Sequence, residues 1–166
     1  LKQACMDLFC KLCADALAET CYLASVCELG SSLYSTDTGF SIHVNGFDDK
    51  VLVLAKEVLD VVMSFRGRDG HSCLPSSIKD SRFDACLEVL LRNYRNSGMD
   101  ASSFVTGLRL LCFKPSTKSS FSKLKALTGI SSEKFVECMN ETLQKISVEA
   151  YYHGNVCRED ADEAAE

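Results

Sequence analysis

The sequence lacks several features that mark common functional classes. Its formal net charge is −5, so there is no excess of Lys and Arg to form a surface for nucleic acid. No apolar run approaches the roughly 20 residues that a membrane-spanning helix needs, and no basic leader precedes an apolar segment as in a secretory signal. Gly-rich phosphate loops, Gly-x-Ser-x-Gly elbows and EF-hand spacings are also absent. We therefore expect neither nucleic-acid binding nor a membrane segment.

Histidine is also scarce, with only His43, His71 and His153. None of the three lies within four residues of another, and none is followed by Glu two or three residues later. A helical zinc site of a peptidase uses two histidines four residues apart, with a Glu that polarises the attacking water. This chain therefore has no residues for such a catalytic site.

The chain is long enough for one domain with an adequate core, because it has 166 residues of which 46% are hydrophobic. Ten cysteines are an unusually high number. Most of them fall in helix-patterned segments among Leu, Ala and Val, which favours thiols that fill the core over a disulfide framework. This favours a reducing compartment such as the cytoplasm, although the sequence leaves the localisation unknown. The cysteines in helix-patterned segments are Cys5, Cys10, Cys13, Cys21, Cys27, Cys86, Cys112 and Cys138.

The only Cys-x-x-Cys motif is formed by Cys10 and Cys13. A redox motif of this type sits at the N-terminus of a helix, where the dipole lowers the pKa of a thiol, whereas this one lies inside a predicted helix. As half of a zinc site it would need a second pair, which His71 and Cys73 could supply. A cysteine-rich metal or redox protein is therefore an alternative, and core cysteines are the simpler interpretation.

The clearest pattern lies between Gly39 and Phe65. Residues 40–45 alternate as a strand, with Phe40, Ile42 and Val44 on one side and Ser41, His43 and Asn45 on the other. Gly46 then allows a tight turn, and Asp48 or Asp49 is predicted to cap the following helix. The apolar face of this helix comprises Val51, Leu54, Ala55, Val58, Val62 and Phe65.

The segments on either side of this unit are predicted mainly as helices. Residues 1–29 read as one long helix with Gly30 as its C-terminal cap, and residues 31–36 as a strand pairing with 39–46 through a turn at 37–39. Residues 66–81 read as a loop. Another helix is expected from Arg82, with an apolar stripe formed by Phe83, Leu87, Leu90, Leu91 and Tyr94.

Three more helices and a strand are expected in the last third of the chain. Asp100 or Ser102 begins a helix whose buried face comprises Phe104, Leu108, Leu111 and Cys112. A short helix covers 119–127, and Ser131 caps another that runs to Gln144, with Ile130 and Phe135 as a hydrophobic staple. Residues 146–153 alternate as a closing strand, and the acidic residues 157–166 form a linker or tail. The fold class is α+β, an antiparallel sheet with helices packed on one face.

Four motifs, in order, resemble the third, non-catalytic domain of the insulinase (insulysin-like, pitrilysin-type) family of zinc metallopeptidases. They are the turn Gly46-Phe47-Asp48-Asp49-Lys50, the helix opening Ser81-Arg82-Phe83, the helix Gly107-Leu108-Arg109-Leu110-Leu111, and the closing segment 149–156, which contains His153-Gly154-Asn155. The likeness spans nearly the whole chain.

The resemblance implies one non-catalytic domain over 1–166, in a parent that is a zinc metalloendopeptidase. The domain would form part of a peptide-enclosing chamber and a scaffold between the two halves of the parent. Zinc is expected in the parent's catalytic domain and no cofactor in this chain; the partners are the parent's other domains and its peptide substrates.

In the family, strands precede the first helix, so a sheet without its N-terminal strands and with an exposed edge is expected, and the loop 66–81 is an insertion. The chain begins at Leu1 rather than Met, as a fragment would.

The resemblance also implies which residues could line the chamber, namely the polar sides of the two strands. They are Ser41, His43, Asn45, Glu149, Tyr151 and His153. The alternative within the same superfamily is a catalytically inactive scaffold or partner subunit. A His-x-x-Glu-His motif upstream in the parent would distinguish the two.

Overall fold

The computed structural model describes residues 1–66, 73–76, 78–144, 146–155 and 157–165. Within these ranges the chain forms an α+β domain with eight helices and one antiparallel sheet, in agreement with the predicted fold class. The helices are α1 (Lys2–Ala16), α2 (Ala18–Val26), α3 (Asp48–Ser64), α4 (Asp80–Asn96), α5 (Ala101–Phe113), α6 (Ser120–Leu127), α7 (Ser132–Leu143) and α8 (Arg158–Ala165), and the strands are β1 (Gly30–Ser35) and β2 (Phe40–Asn45).

The sheet is the predicted hairpin of β1 and β2, in which Leu33 lies opposite Ile42. The Thr36 amide closes the turn by donating to the Gly39 carbonyl at 2.8 Å. Opposite residues of an antiparallel pair share a face, so Leu33, Phe40 and Ile42 pack together against the helices. These are the only paired strands in the described part of the chain.

Helix α1 lies at the centre of the domain and packs against β1, α4, α6 and α7. Asp7, Lys11 and Asp15 lie along one side of this helix, and most of the apolar residues on its other sides are buried. The Phe9 ring lies 4.9 Å from that of Phe65, just after α3, and 5.5 Å from that of Phe40 on β2, measured between centroids. The fold is thus built around α1 rather than around the hairpin and α3. The buried residues of α1 are Ala4, Cys5, Met6, Leu8, Phe9, Cys10, Leu12 and Cys13.

The prediction of one helix over 1–29 is wrong at Leu17, where α1 ends and α2 begins. Leu17 donates to the Cys13 carbonyl and Cys21 to the Leu17 carbonyl, so helical hydrogen bonds flank the junction on both sides. Gly30 is not the C-terminal cap either, because it is the first residue of β1. The left-handed residue after α2 is Glu28, with φ of 59°. A helix can close in this way with a residue other than Gly, at a cost in backbone energy.

The turn into α3 depends on Gly46, which has φ of 149°. A Cβ at this position would lie 2.3 Å from Leu29 Cδ2, so the close approach of β2 to the end of α2 also requires glycine. The predicted cap is wrong, because Phe47 occupies the N-cap position and makes no side-chain cap bond. The predicted apolar face of α3 is correct, since Leu54, Val58, Val62 and Phe65 are buried.

Helices α4, α6 and α7 pack around α1 much as their patterns predict. The Phe83 and Phe135 rings meet at 5.5 Å between α4 and α7, and Cys86 is buried beside them in the same core. Ser131 accepts a hydrogen bond from the Lys134 amide, and the staple residues Ile130 and Phe135 are both buried. Local patterns of capping and periodicity were therefore sufficient for these elements.

Helix α5 is present and begins where predicted, because the Asp100 carboxylate accepts from the Ser103 amide at 2.8 Å. Its predicted buried face, however, is not buried: no residue of α5 is fully shielded, and Phe104, Leu108 and Cys112 are exposed. Periodicity shows which side of a helix is apolar, but not whether another element covers it.

The predicted closing strand over 146–153 is also wrong, because these residues belong to neither strand of the sheet. Ile146 and Val148 of this segment are exposed. A strand needs a partner strand as well as an alternating pattern, and neither β1 nor β2 pairs with this segment. Residues 67–72 and 77 lie outside the described residues, so the inserted loop over 66–81 stays a prediction. The tail residues 158–165 form α8.

Candidate functional site

The candidate site is the side of the hairpin that none of the described helices covers, here called the outer hairpin face. It comprises Ser32, Tyr34, Ser41, His43 and Asn45, with Ser32 opposite His43 and Tyr34 opposite Ser41. All of them are exposed except Ser41, which is half-buried. The predicted residues Ser41, His43 and Asn45 therefore do share one face, opposite the core residues Phe40, Ile42 and Val44.

Ser32 and Tyr34 are the members of this face that sequence reasoning missed. The predicted turn at 37–39 contains the signal, because it sets a register that places residues 32 and 34 beside 43 and 41. Tyr34 contributes an exposed aromatic ring and a hydroxyl group to an otherwise small, polar surface. Such a surface offers hydrogen-bond donors and acceptors to a peptide without forming a deep cavity.

The other three candidates, Glu149, Tyr151 and His153, lie in the unpaired segment near the end of the chain and are all exposed. The rings of Tyr151 and His153 are stacked, with centroids 6.2 Å apart and planes inclined by 17°. Residues two apart on one side of an extended strand come together in this way. The structure therefore brings Tyr151 and His153 together, but does not pair this segment with the hairpin.

The donor groups of the chain do not fit a zinc site. No cluster of three or more His, Cys, Asp or Glu side chains suited to a metal occurs in the described part of the chain. His43 and His153 lie on separate segments, and His71, proposed with Cys73 as half of a site, lies outside the described residues. Burial raises the pKa of Cys10 to about 12 and that of Cys13 further still. Neutral, buried thiols are neither good metal ligands nor redox nucleophiles at neutral pH.

A second pair of cysteines, Cys5 on α1 and Cys138 on α7, interacts in the core. The hydrogen bond between the two thiols raises the pKa of Cys5 and lowers that of Cys138. Both side chains are buried, with Cys5 completely shielded. A substrate therefore has no access to this thiol, and the pair contributes to packing between α1 and α7.

A partly buried polar cluster is centred on Asp7 of α1. Its carboxylate accepts hydrogen bonds from Ser35 and Tyr94 and forms an ion pair with Lys123 at 2.8 Å. Burial and the hydrogen bond to Asp7 raise the pKa of Tyr94, so its hydroxyl remains protonated and continues to donate. Each charge and hydroxyl has a partner here, which is the pattern of a structural network rather than of a site with an unused reactive group.

A more exposed cluster surrounds Asp37 in the hairpin turn. Its carboxylate accepts from Lys114, just after α5, from Ser116, and from Gln3 of α1. The hydrogen bond from Lys114 is the main cause that holds the pKa of Asp37 below its usual value. These contacts fasten the C-terminal end of α5 to the hairpin.

Comparison with known proteins places residues 1–126 in a family described as the middle or third domain of peptidase M16. The chain is 28% identical to a nardilysin-like protein of Arabidopsis thaliana, over 93% of this chain and 14% of that protein. It is 27% identical to nardilysin of Rattus norvegicus, over 90% of this chain and 12% of that protein. It is 25% identical to human insulin-degrading enzyme, over 93% of this chain and 14% of that protein. No solved structure gives a significant match.

The chain thus spans about one seventh of the length of these curated relatives. In the described residues, no helix combines the length and the apolar character needed to cross a bilayer.

Proposed function

Because this chain belongs to the peptidase M16 family and matches its middle or third domain, we propose that it is a non-catalytic domain that helps to enclose peptide substrates in a zinc metalloendopeptidase. The match over 1–126 is the observation that carries the proposal. The family consists of zinc-dependent peptidases, and this chain has no histidine pair of the kind that such catalysis needs. Zinc and the groups that activate water would therefore be supplied by another domain of the parent.

In this role the outer hairpin face lines the chamber, while the helices on the other side of the sheet form the wall. Two features support this arrangement. The face carries His43, Asn45 and Tyr34, which can bind an extended peptide through hydrogen bonds and a ring contact. No helix among the described residues covers it, so a peptide can reach it. Glu149, Tyr151 and His153 join the same lining if their segment pairs with a sheet in the parent.

The first test uses the purified 166-residue chain and an unstructured peptide, with and without added Zn²⁺ and a chelator. We expect no zinc-dependent cleavage by the chain alone, and chelator-sensitive cleavage by the parent. Cleavage by the chain itself would overturn its non-catalytic role. A parent without activity and without a His-x-x-Glu-His motif would instead assign the chain to an inactive scaffold subunit of the same superfamily.

The second test concerns the chamber. In the parent, we expect His43→Ala to raise KM for peptide substrates with little change in kcat, because it removes a contact to bound peptide rather than a reacting group. Glu57→Ala is the matched control, since Glu57 is exposed on α3, away from the hairpin face. Equal KM values for His43→Ala, Glu57→Ala and the unmodified parent would contradict a lining role for His43.

A further inference from the structure

Helix α5 presents an apolar surface that nothing in the described part of the chain covers. Arg109 is its one charged residue among 13. The surface, called the α5 face here, comprises Phe104, Val105, Leu108, Leu111 and Cys112, which have helical spacing. Leu111 alone is half-buried, and Val105 is 63% exposed. Phe113, at the end of the helix, is 82% exposed. A helix this apolar is normally buried, and contiguous exposed apolar surface marks an interface.

Gly107 provides a second observation on the same helix. Glycine within a helix is unfavourable relative to alanine, so it is usually explained by close packing. Here a Cβ at position 107 would meet nothing within 4 Å. The described residues therefore give no packing reason for this glycine, whereas a backbone that approaches α5 closely from outside them would give one.

We propose that the α5 face is an interface with the remainder of the parent polypeptide, where an apolar segment packs against it with its backbone close to Gly107. This rests on the proposed function, in which the chain is one domain of a longer protein. The relatives that it matches are about seven times as long, so most of the parent lies outside this chain. A partner on the same polypeptide is present at high effective concentration, which makes it the favoured occupant over a second copy.

The polar contacts of α5 fit this role. Asp100 caps its N-terminus, and the Lys114–Asp37 ion pair fastens its C-terminal end to the hairpin turn. The cap stabilises the helix itself, and the ion pair fastens its C-terminal end to the domain, while its apolar side remains open. This positions the α5 face before the partner arrives, which lowers the entropic cost of the contact.

Cys112 is a natural reporter for this interface, because it is an exposed thiol on the α5 face. The experiment measures alkylation of each cysteine by N-ethylmaleimide under native conditions, with peptide mapping by mass spectrometry, in the 166-residue chain and in the full parent. We expect Cys112 to react at least about tenfold more slowly in the parent, since reaction then requires local opening. In the parent, Leu108→Lys should restore fast labelling, whereas Thr106→Lys, on the opposite side of the helix, should not.

Equal labelling of Cys112 in the two proteins would overturn the proposal. So would protection in the 166-residue chain that grows with protein concentration, which would identify a second copy as the occupant. A further variant, Gly107→Ala, should raise the melting temperature of the chain but lower that of the parent; an increase in both would exclude close approach at Gly107. None of these measurements depends on peptidase activity, so a failure of the proposed function is detected separately.

Discussion

Asp7 and Lys123, which are 116 residues apart in the sequence, form an ion pair at 2.8 Å that joins α1 to α6. The two side chains are only 11% and 18% exposed. Removing one charge of such a pair leaves the other partly buried without compensation, whereas an exposed pair contributes little. The pair therefore links α1 specifically to α6.

We predict that Asp7→Asn destabilises the chain by about 3 kcal/mol, because the Lys123 ammonium and the Tyr94 hydroxyl lose their charged acceptor. Urea denaturation at neutral pH measures the effect. The matched control is Glu141→Gln, which breaks the exposed pair with Lys2 and should change stability by no more than about 0.5 kcal/mol. Equal losses of stability in the two variants would show that the Asp7 cluster stabilises the chain no more than an exposed ion pair does.

Glu28→Gly should stabilise the chain by about 0.5–1 kcal/mol, since glycine adopts the left-handed conformation of residue 28 without steric cost. The amides of Glu28 and Leu29 would keep their bonds to the carbonyls of Ser25 and Ala24. Ser25→Gly, inside α2, is the control and should destabilise by roughly 0.5 kcal/mol through lost helix propensity. A lower urea midpoint for Glu28→Gly would contradict the prediction.

Val58→Ala should cost about 1–3 kcal/mol, because Val58 is almost completely buried between α3 and the hairpin and its loss leaves a cavity. Val53→Ala, at an exposed position on the same helix, should stay within about 0.5 kcal/mol of the unmodified chain. Chemical denaturation of both variants tests whether this face of α3 packs against the hairpin. A Val58→Ala variant as stable as the unmodified chain would refute the packing.

Asp37→Asn should make stability less dependent on pH in the acid range. The pKa of Asp37 is lower in the folded chain than its usual value of about 4, so the unfolded chain binds the proton more readily. Its contribution is present above that usual value and is lost as the pH falls through the folded pKa. The difference in urea midpoint between the unmodified chain and Asp37→Asn should therefore shrink below about pH 4. A difference in urea midpoint that stays constant down to about pH 2 would contradict the prediction.

Local patterns were sufficient for the hairpin, for the buried face of α3 and for the Ser131 cap, because each depends on residues close in sequence. The prediction of the closing strand failed because the alternation around Val148 shows only which residues would share a side of a strand. Whether the segment pairs with another strand depends on tertiary contacts. The prediction of a buried face on α5 failed for the same reason, because periodicity does not show which element would cover it. For the candidate site, Ser41, His43 and Asn45 could be grouped from one strand alone, whereas Tyr34 required the register across the hairpin.

The central position of α1 has a consequence for how the chain folds during synthesis. Within these 166 residues α1 is made before the helices that pack on it, and its partner α7 ends only at Leu143. At about 5–20 residues per second, a ribosome completes α7 roughly 6–25 seconds after α1. Throughout that interval an apolar helix with three cysteines, Cys5, Cys10 and Cys13, has no complete core around it. The nascent domain is therefore most exposed to aggregation and thiol oxidation before α7 appears.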